Sequence, residues 1–296
     1  MSPRALARSV LRAMMRPAVV RTPLRGLTTA GLVPPGLWKR LPVEATFPVS
    51  LPDGGTFQYV AVPSDDIGRA LYWRGLSAWE PETVRVYYRL ARRSALTFDV
   101  GANTGLFALI ACAANPQGHV VAFEPVPQVF ARLQAQIRAN QMEHRCTLRQ
   151  EAVAAQSGIT QFHVPDGEIP KSGSLNTHGF RGIHGALIEV PVTTIDTVAG
   201  SMGPVELIKI DVEGFEDQAL EGARTVLSRY HPDIVVECNP DGPYRAVDRI
   251  LSEYGYRFYH LRASGPEPVS RICPDETQQY RNYLCSTRMD LTEVLA

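Results

Sequence analysis

The chain contains no apolar run approaching the ~20 residues that a bilayer-spanning helix needs, which excludes that class of membrane protein. It is poor in lysine, with three against 27 arginines, so arginine richness in any one segment is partly background. Its five cysteines (Cys112, Cys146, Cys238, Cys273 and Cys285) form no C-x-x-C pair and no metal spacing. That excludes zinc ribbons and dithiol redox chemistry and leaves free thiols in a reducing compartment as the expectation. His163, His178 and His184 are too scattered for a ligand set, so no metal is expected. There is no internal repeat and no low-complexity tract, which excludes a solenoid.

Acids are missing from residues 1–43, where eight bases stand: Arg4, Arg8, Arg12, Arg16, Arg21, Arg25, Lys39 and Arg40. The whole chain has 30 residues of each sign, so the remainder keeps 22 bases against 30 acids. A negative body argues against nucleic acid as a partner. Arg4, Arg8, Arg12 and Arg16 recur every four residues and would share one helix face, beside a stripe of Leu6, Val10 and Met14. A basic amphipathic segment over 1–17 suits an anionic membrane surface. An acid-free, arginine-rich start also fits a mitochondrial transit peptide, and a third reading is a helix packed on the body. The expected location is the cytoplasm, peripheral to the inner membrane face, with a mitochondrial location as the alternative.

What the chain does have is a core's worth of apolar residues, 45% of 296, enough for one sizeable domain with an extension. After the tail and a Pro/Gly-rich linker through Gly36, residues 44–94 read as a β-hairpin around Asp53-Gly54-Gly55 and a helix near 80–92. From residue 95 to 296, strands and helices alternate: 96–100, 104–114, 119–124, 126–140, 145–150, 205–211, 215–228, 233–238 and 244–254. Such alternation indicates parallel βαβ units in an α/β, Rossmann-like sheet. Tyr256–Leu261 and Tyr283–Thr287 would add an antiparallel pair at one edge. Between the elements at 145–150 and 205–211 lies an insertion, 159–194, in which two β-like runs flank a polar loop, Lys171 to Gly185. A polar loop of that length is expected to be a lid or an acceptor-recognition element.

The chemistry is concentrated at three strand ends. Thr97-Phe98-Asp99-Val100-Gly101-Ala102-Asn103-Thr104-Gly105 reads as a buried strand ending in an acid, a glycine turn and a helix start. Glycine at 101 and 105 is expected to let the backbone come close to a ligand. The next strand ends in Glu124, 25 residues beyond Asp99, where an acid can accept hydrogen bonds from a ribose diol. Asn103 stands where a dinucleotide fingerprint needs its second glycine, and a side chain there crowds a pyrophosphate. The added charge of Asp99 favours a cationic ligand, such as the methionine part of S-adenosylmethionine, over NAD. In Ile208-Lys209-Ile210-Asp211-Val212-Glu213-Gly214-Phe215-Glu216, Lys209, Asp211 and Glu213 alternate and should share one face as the strand ends. Three such groups can shift one another's pKa values and supply a general base. Helix capping accounts for Glu216 and Asp217 but not for Lys209 and Asp211.

Phe98-Asp99-Val100-Gly101-Ala102-Asn103-Thr104-Gly105, Phe123-Glu124-Pro125 and Ile208 to Glu216 resemble the FkbM family of methyltransferases. So do Glu80-Pro81-Glu82-Thr83, Thr193-Thr194-Ile195-Asp196 and Val235-Val236-Glu237-Cys238-Asn239-Pro240. The resemblance covers about residues 78–240, and Thr104 is a mild departure from it. It implies a class I, S-adenosylmethionine-dependent methyltransferase acting on oxygen of sugars, glycolipids or polyketide-type hydroxyls. By the same resemblance, Asp99, Gly101, Asn103 and Gly105 would line the methionine half of the donor. Glu124 would hold the ribose hydroxyls beside Pro125, and Glu151 would border the adenine. Asp211 and Glu213 would face a small-molecule, glycan or lipid-linked acceptor. Asp211, with a raised pKa, would be the base, and Lys209 would orient the site. An NAD-dependent oxidoreductase and a noncatalytic donor-binding module are the alternatives.

Overall fold

The computed structural model describes residues 10, 13–15, 17–167 and 185–291. The four-arginine stripe expected over 1–17 and residues 171–184 of the expected lid lie outside the described residues. In chain order, helix α1 (Ala18–Thr29) and the short α2 (Pro35–Trp38) precede the hairpin β1 (Ala45–Ser50) and β2 (Thr56–Ala61), then α3 (Asp66–Arg74) and α4 (Pro81–Ala91). The alternation follows with β3 (Leu96–Val100), α5 (Leu106–Ala114), β4 (His119–Phe123), α6 (Pro127–Ala139) and β5 (Cys146–Arg149). Strands β6 (Ala152–Val153), β7 (Gly158–Pro165) and β8 (Gly185–Thr193) come next, then α7 (Ile195–Ala199) and β9 (Leu207–Ile210). The remainder is α8 (Glu216–Glu221), α9 (Arg224–Tyr230), β10 (Asp233–Glu237), α10 (Tyr244–Glu253), β11 (Arg257–Arg262), β12 (Gly265–Val269) and β13 (Asn282–Ser286).

The main sheet has the order β12-β11-β13-β10-β9-β3-β4-β5. Strands β5, β4, β3, β9 and β10 are parallel, whereas β13 is antiparallel to both of its neighbours and β12 closes the edge. This is the Rossmann-like class I methyltransferase arrangement, a mostly parallel sheet with an antiparallel edge. Every residue of β3, β9 and β10 is buried, as a parallel sheet covered on both faces requires. The chain leaves β3 toward β4 and β5, then returns to pair with β3 on its other side as β9. The carboxyl ends of β3 and β9 therefore flank a topological switch point, where such sheets bind ligands.

Alternation sorts the side chains. Phe98, Val100, Ile208, Ile210, Ile234 and Val236 join one core, with α8 and α10. Leu207 and Val235 join the other, with Tyr87 of α4 and Phe107 of α5. Asp99, Lys209 and Glu237 have the same parity as Leu207 and Val235, so all three stand on the α4–α5 face.

The hairpin expected at Asp53-Gly54-Gly55 forms and is fixed to the sheet domain by polar side chains. Gln136 of α6 and Asn140 at its C-terminal cap exchange hydrogen bonds with the backbone of Val60 and Gln58 at 2.6–3.0 Å, which satisfies the free edge of β2. The Tyr59 hydroxyl meets Thr104 Oγ1 at 2.9 Å, tying β2 to the glycine turn. Two local expectations are corrected and two strands are added. The stretch expected as a Pro/Gly linker contains α1 and α2, with Pro23 inside α1. The single helix expected over 215–228 is two, because at Gly222 the chain passes so close to the Ala154 carbonyl that a Cβ would stand 2.2 Å from it. Residues 265–269, with Pro266 and Pro268, form an outer strand, the only place in a sheet where proline fits easily. The insertion is a three-stranded sheet of its own, ordered β6-β8-β7, packed on Val126 and Val129 at the start of α6.

Candidate active site

A cavity of about 270 Å³ opens at the switch point. Of the residues singled out in the sequence, Gly101, Asn103, Glu124, Pro125, Glu151, Lys209, Asp211 and Glu213 line it, and Asp99 and Gly105 do not. Phe162 of the insertion and Ile67 and Glu80 of the N-terminal extension complete the wall. Asp99 lies beneath the floor, fully buried, and neither of its carboxylate oxygens has a hydrogen-bond partner among the described residues. Burial raises its pKa to about 6, and the Asp211 charge adds to this while Lys209 opposes it.

The two glycines act differently from the sequence expectation. At Gly101 (φ +83°), a Cβ would stand 1.9 Å from the backbone carbonyl oxygen of Asp211. At Gly105 (φ +97°), it would stand 2.7 Å from Leu133 Cδ1. In both places the space left by the missing side chain is filled by the protein, so these glycines set the approach of β3 to β9 and of the turn to α6. Asn103 takes the left-handed conformation (φ +50°) that asparagine tolerates better than most residues. Its backbone N–H donates to Glu124 Oε2 at 3.1 Å, and the Val126 N–H donates to Glu124 Oε1 at 2.9 Å. Burial pushes the Glu124 carboxyl up to about 7 in spite of these two bonds. Glu151, also in the lining, is paired with Arg149 at 2.5 Å.

The alternation of Lys209, Asp211 and Glu213 produces a charged cluster that extends beyond those three. Lys209, 2% exposed, donates to Asp211 Oδ2 at 2.9 Å, and its ammonium stands 4.4 Å from the centre of the Phe107 ring. Burial alone would lower its pKa, but Asp211, Asp99 and Glu80 outweigh burial and raise it, so the lysine is a fixed cation. Burial pushes Asp211 up as well, yet Lys209, a hydrogen bond shared with Glu237 and the charge of Arg281 together hold its carboxyl down at about 2. The raised pKa expected for Asp211 is instead found at Glu237. Burial, the Asp211 charge and their shared hydrogen bond push Glu237 well up, against Arg281, whose Nη1 lies 2.6 Å from Glu237 Oε1.

Sequence reading assigned no role to Glu80, Glu237 or Arg281. Glu237 was findable: like Asp99 and Asp211, it is an acid at the carboxyl end of a buried strand. Glu80 precedes Pro81 at the start of α4 in a left-handed conformation (φ +40°), strain of a kind that gathers at functional sites. Asn282 Nδ2 donates to it at 3.2 Å, and burial raises its pKa. Arg281 comes from just before the last strand and carried no local signal.

Six carboxyl groups (Glu80, Glu124, Glu151, Asp211, Glu213 and Glu237) and two cations (Lys209 and Arg281) therefore line the cavity. That excess of acidic over basic groups suits a cationic ligand better than a pyrophosphate. Among the described residues, Asp211, Glu213 and Glu237 also bring carboxylate oxygens within 4.8 Å of one another, a spacing that metal sites use, though none was expected from the sequence. Here Lys209 and Arg281 already supply positive charge to two of the three.

Comparison with known proteins is consistent with this geometry. The methyltransferase FkbM domain model matches residues 99–258. The 31-O-demethyl-FK506 methyltransferase FkbM of Streptomyces tacrolimicus is 32% identical over 193 residues, covering 54% of this chain and 72% of that protein. The hexuronic acid methyltransferase AglP of Haloferax volcanii is 26% identical over 178 residues, covering 59% of this chain and 68% of its own. Among solved structures, a methyltransferase FkbM from Methylobacillus flagellatus KT aligns at 17% identity with a TM-score of 0.43, over 75% of this chain and 54% of that one.

Proposed function

The chain belongs to the FkbM methyltransferase family, and from that premise we propose that it methylates a hydroxyl oxygen of a sugar, glycolipid or polyketide-type acceptor, with S-adenosylmethionine as donor. The observation that carries this reading is the acid-rich cavity at the switch point, with Glu124 in its lining. A carboxylate oxygen accepts about two hydrogen bonds. Each Glu124 oxygen receives one from the backbone and keeps a lone pair free for a ribose hydroxyl. When bound, the donor supplies a methyl group on a positively charged sulfur, for displacement in line by the acceptor oxygen.

The protein's part is alignment and proton removal. Asn103 and Pro125 shape the wall beside Glu124, and Glu151 borders the adenine end. Gly101 and Gly105 set the turn, and Asp99 acts from below, as a positioning residue for Lys209. Lys209 fixes Asp211, and Glu213 stands at the acceptor side. We assign base function to Asp211 and Glu237 as a pair that shares one proton, because a carboxylate held at about 2 is a weak base alone. A cation entering the cavity lowers the pair's affinity for that proton. Once the pair has released it, a carboxylate of the pair takes the proton of the acceptor hydroxyl as the oxygen–methyl bond forms.

The test is calorimetric titration with S-adenosylhomocysteine and with NAD, followed by transfer of labelled methyl to uronic acids, macrolide hydroxyls and lipid-linked sugars. Selective binding of NAD would end the reading. Asp211→Asn and Glu237→Gln should each abolish turnover with little change in donor affinity, and full activity in both variants would remove the pair as the base.

A further inference from the structure

A surface helix normally turns its apolar stripe inward, and α1 does so only in part. Its Arg21 and Arg25 face the body. The Arg21 guanidinium stands 5.7 Å from the centre of the Tyr72 ring and donates to the Glu44 carbonyl oxygen at 2.6 Å. That of Arg25 lies 4.9 Å from Tyr72 and 5.6 Å from Phe47. Leu24 packs between them on the core, and Thr28 is fully buried. The outward face carries Val19, 80% exposed, together with Val20 and Leu27. Beyond the helix, Leu32 and Leu37 are exposed in turn, and Val10 and Met14 before it. Of the eleven exposed large apolar side chains among the described residues, seven thus fall between residues 10 and 37.

An apolar patch of this kind marks a contact surface. Its charge selects the partner. The segment through residue 43 has no acid, and Lys39 and Arg40 are exposed at the end of the apolar stretch. A second copy offering the same face is a poor match, since it would set that acid-free, basic segment against its own like charge. We propose that the face formed by α1 and the turn to α2 docks on an anionic lipid surface, with Val19, Leu27, Leu32 and Leu37 in the interface and Lys39 and Arg40 among the headgroups. Among the described residues no helix is long and apolar enough to cross a membrane, so the contact is one of lying on the surface. The arginines of α1 are spent on the body and leave its apolar side free. The docking surface is therefore this outward face and not only the 1–17 segment expected from the sequence.

Flotation of the full chain with phosphatidylcholine–phosphatidylglycerol vesicles, against phosphatidylcholine alone, tests the proposal. Binding should need the anionic lipid, weaken in high salt, and fall about tenfold or more in Val19→Glu/Leu27→Glu, whose sites are exposed and so leave the fold intact. A Lys39→Glu/Arg40→Glu variant should reduce binding to anionic vesicles only. Absence of binding to anionic vesicles, or binding untouched by Val19→Glu/Leu27→Glu, would overturn the proposal. So would a concentration-dependent dimer that these substitutions abolish without any lipid binding.

Discussion

Replacing Gly101 by alanine tests whether contact between β3 and β9, rather than a ligand, requires a glycine there. The new Cβ would stand 1.9 Å from the Asp211 carbonyl oxygen and 2.9 Å from its carbon, so the two backbones must part by more than an ångström to restore an ordinary contact. The Asp211 N–H donates to Val100 O at 3.0 Å, and its carboxylate accepts from Lys209 at 2.9 Å. The displacement therefore strains a ladder hydrogen bond, worth ~1 kcal/mol net, and a buried ion pair whose rupture costs ~3–5 kcal/mol. A left-handed φ adds ~1–2 kcal/mol for any L side chain. Since relaxation shares these costs, we expect a loss of about 3 kcal/mol or more and weakened binding of S-adenosylhomocysteine. Gly255→Ala is the control: its φ is +76°, yet nothing lies within 4 Å of the added atom. It should lose only those ~1–2 kcal/mol and bind normally. Urea midpoints at constant slope measure both losses. Equal midpoints for the two variants would refute the contact argument.

Lys209→Met strips Asp211 and Asp99 of their shared cation and should destabilise the chain by about 3–5 kcal/mol at neutral pH, less at pH ~5, where the carboxyls can take up protons; a loss independent of pH would contradict this. Asp99 at about 6 and Glu124 and Glu216 at about 7 hold protons that an unfolded chain gives up nearer 4–4.5. Melting temperature should accordingly fall as pH rises from about 4.5 to about 7, and a rising curve over that window would count against these assignments. Asp211 acts in the opposite sense, its contribution being present above its unfolded value and lost as pH falls toward about 2. In buffers of differing ionisation heat, S-adenosylmethionine should release more protons on binding than its uncharged product, and Glu237→Gln should erase the difference; equal release would dissolve the shared-proton pair. Glu124→Gln can accept from only one of its two backbone donors and should weaken the binding of S-adenosylhomocysteine by ~2 kcal/mol, measured by calorimetry.

The parallel half of the fold was legible because each of its strands is a short apolar run ending in an acid or a turn. The burial of β3, β9 and β10 on both faces is the same fact seen from inside. Glu124, Lys209 and Asp211 were legible for a related reason, since strand ends at a switch point face the crevice. What the sequence concealed depends on distance along the chain. Nothing near Gly101 announces that its space belongs to a carbonyl 110 residues later. The direction of the Asp211 shift follows from a balance between burial and two cations, one of them Arg281, and alternation alone does not reveal that balance. Helix α1 was missed because its proline and glycine read as a linker, and because much of its apolar surface faces outward while its arginines face the body.

The insertion of β13 between β10 and β11 has a consequence for how the molecule is made. Until residue 286 has left the ribosome, β10 ends the sheet with an open edge whose middle three residues are apolar, and β11 has no partner through which to join it. Arg281 and Asn282 arrive with that last strand, so the carboxyls of Glu237 and Glu80 wait without their partners until synthesis is nearly over. A nascent chain thus completes the Glu124 side of the cavity long before the Glu237–Arg281 side. Any product cut short before residue 280 would carry an exposed strand prone to pairing with other chains.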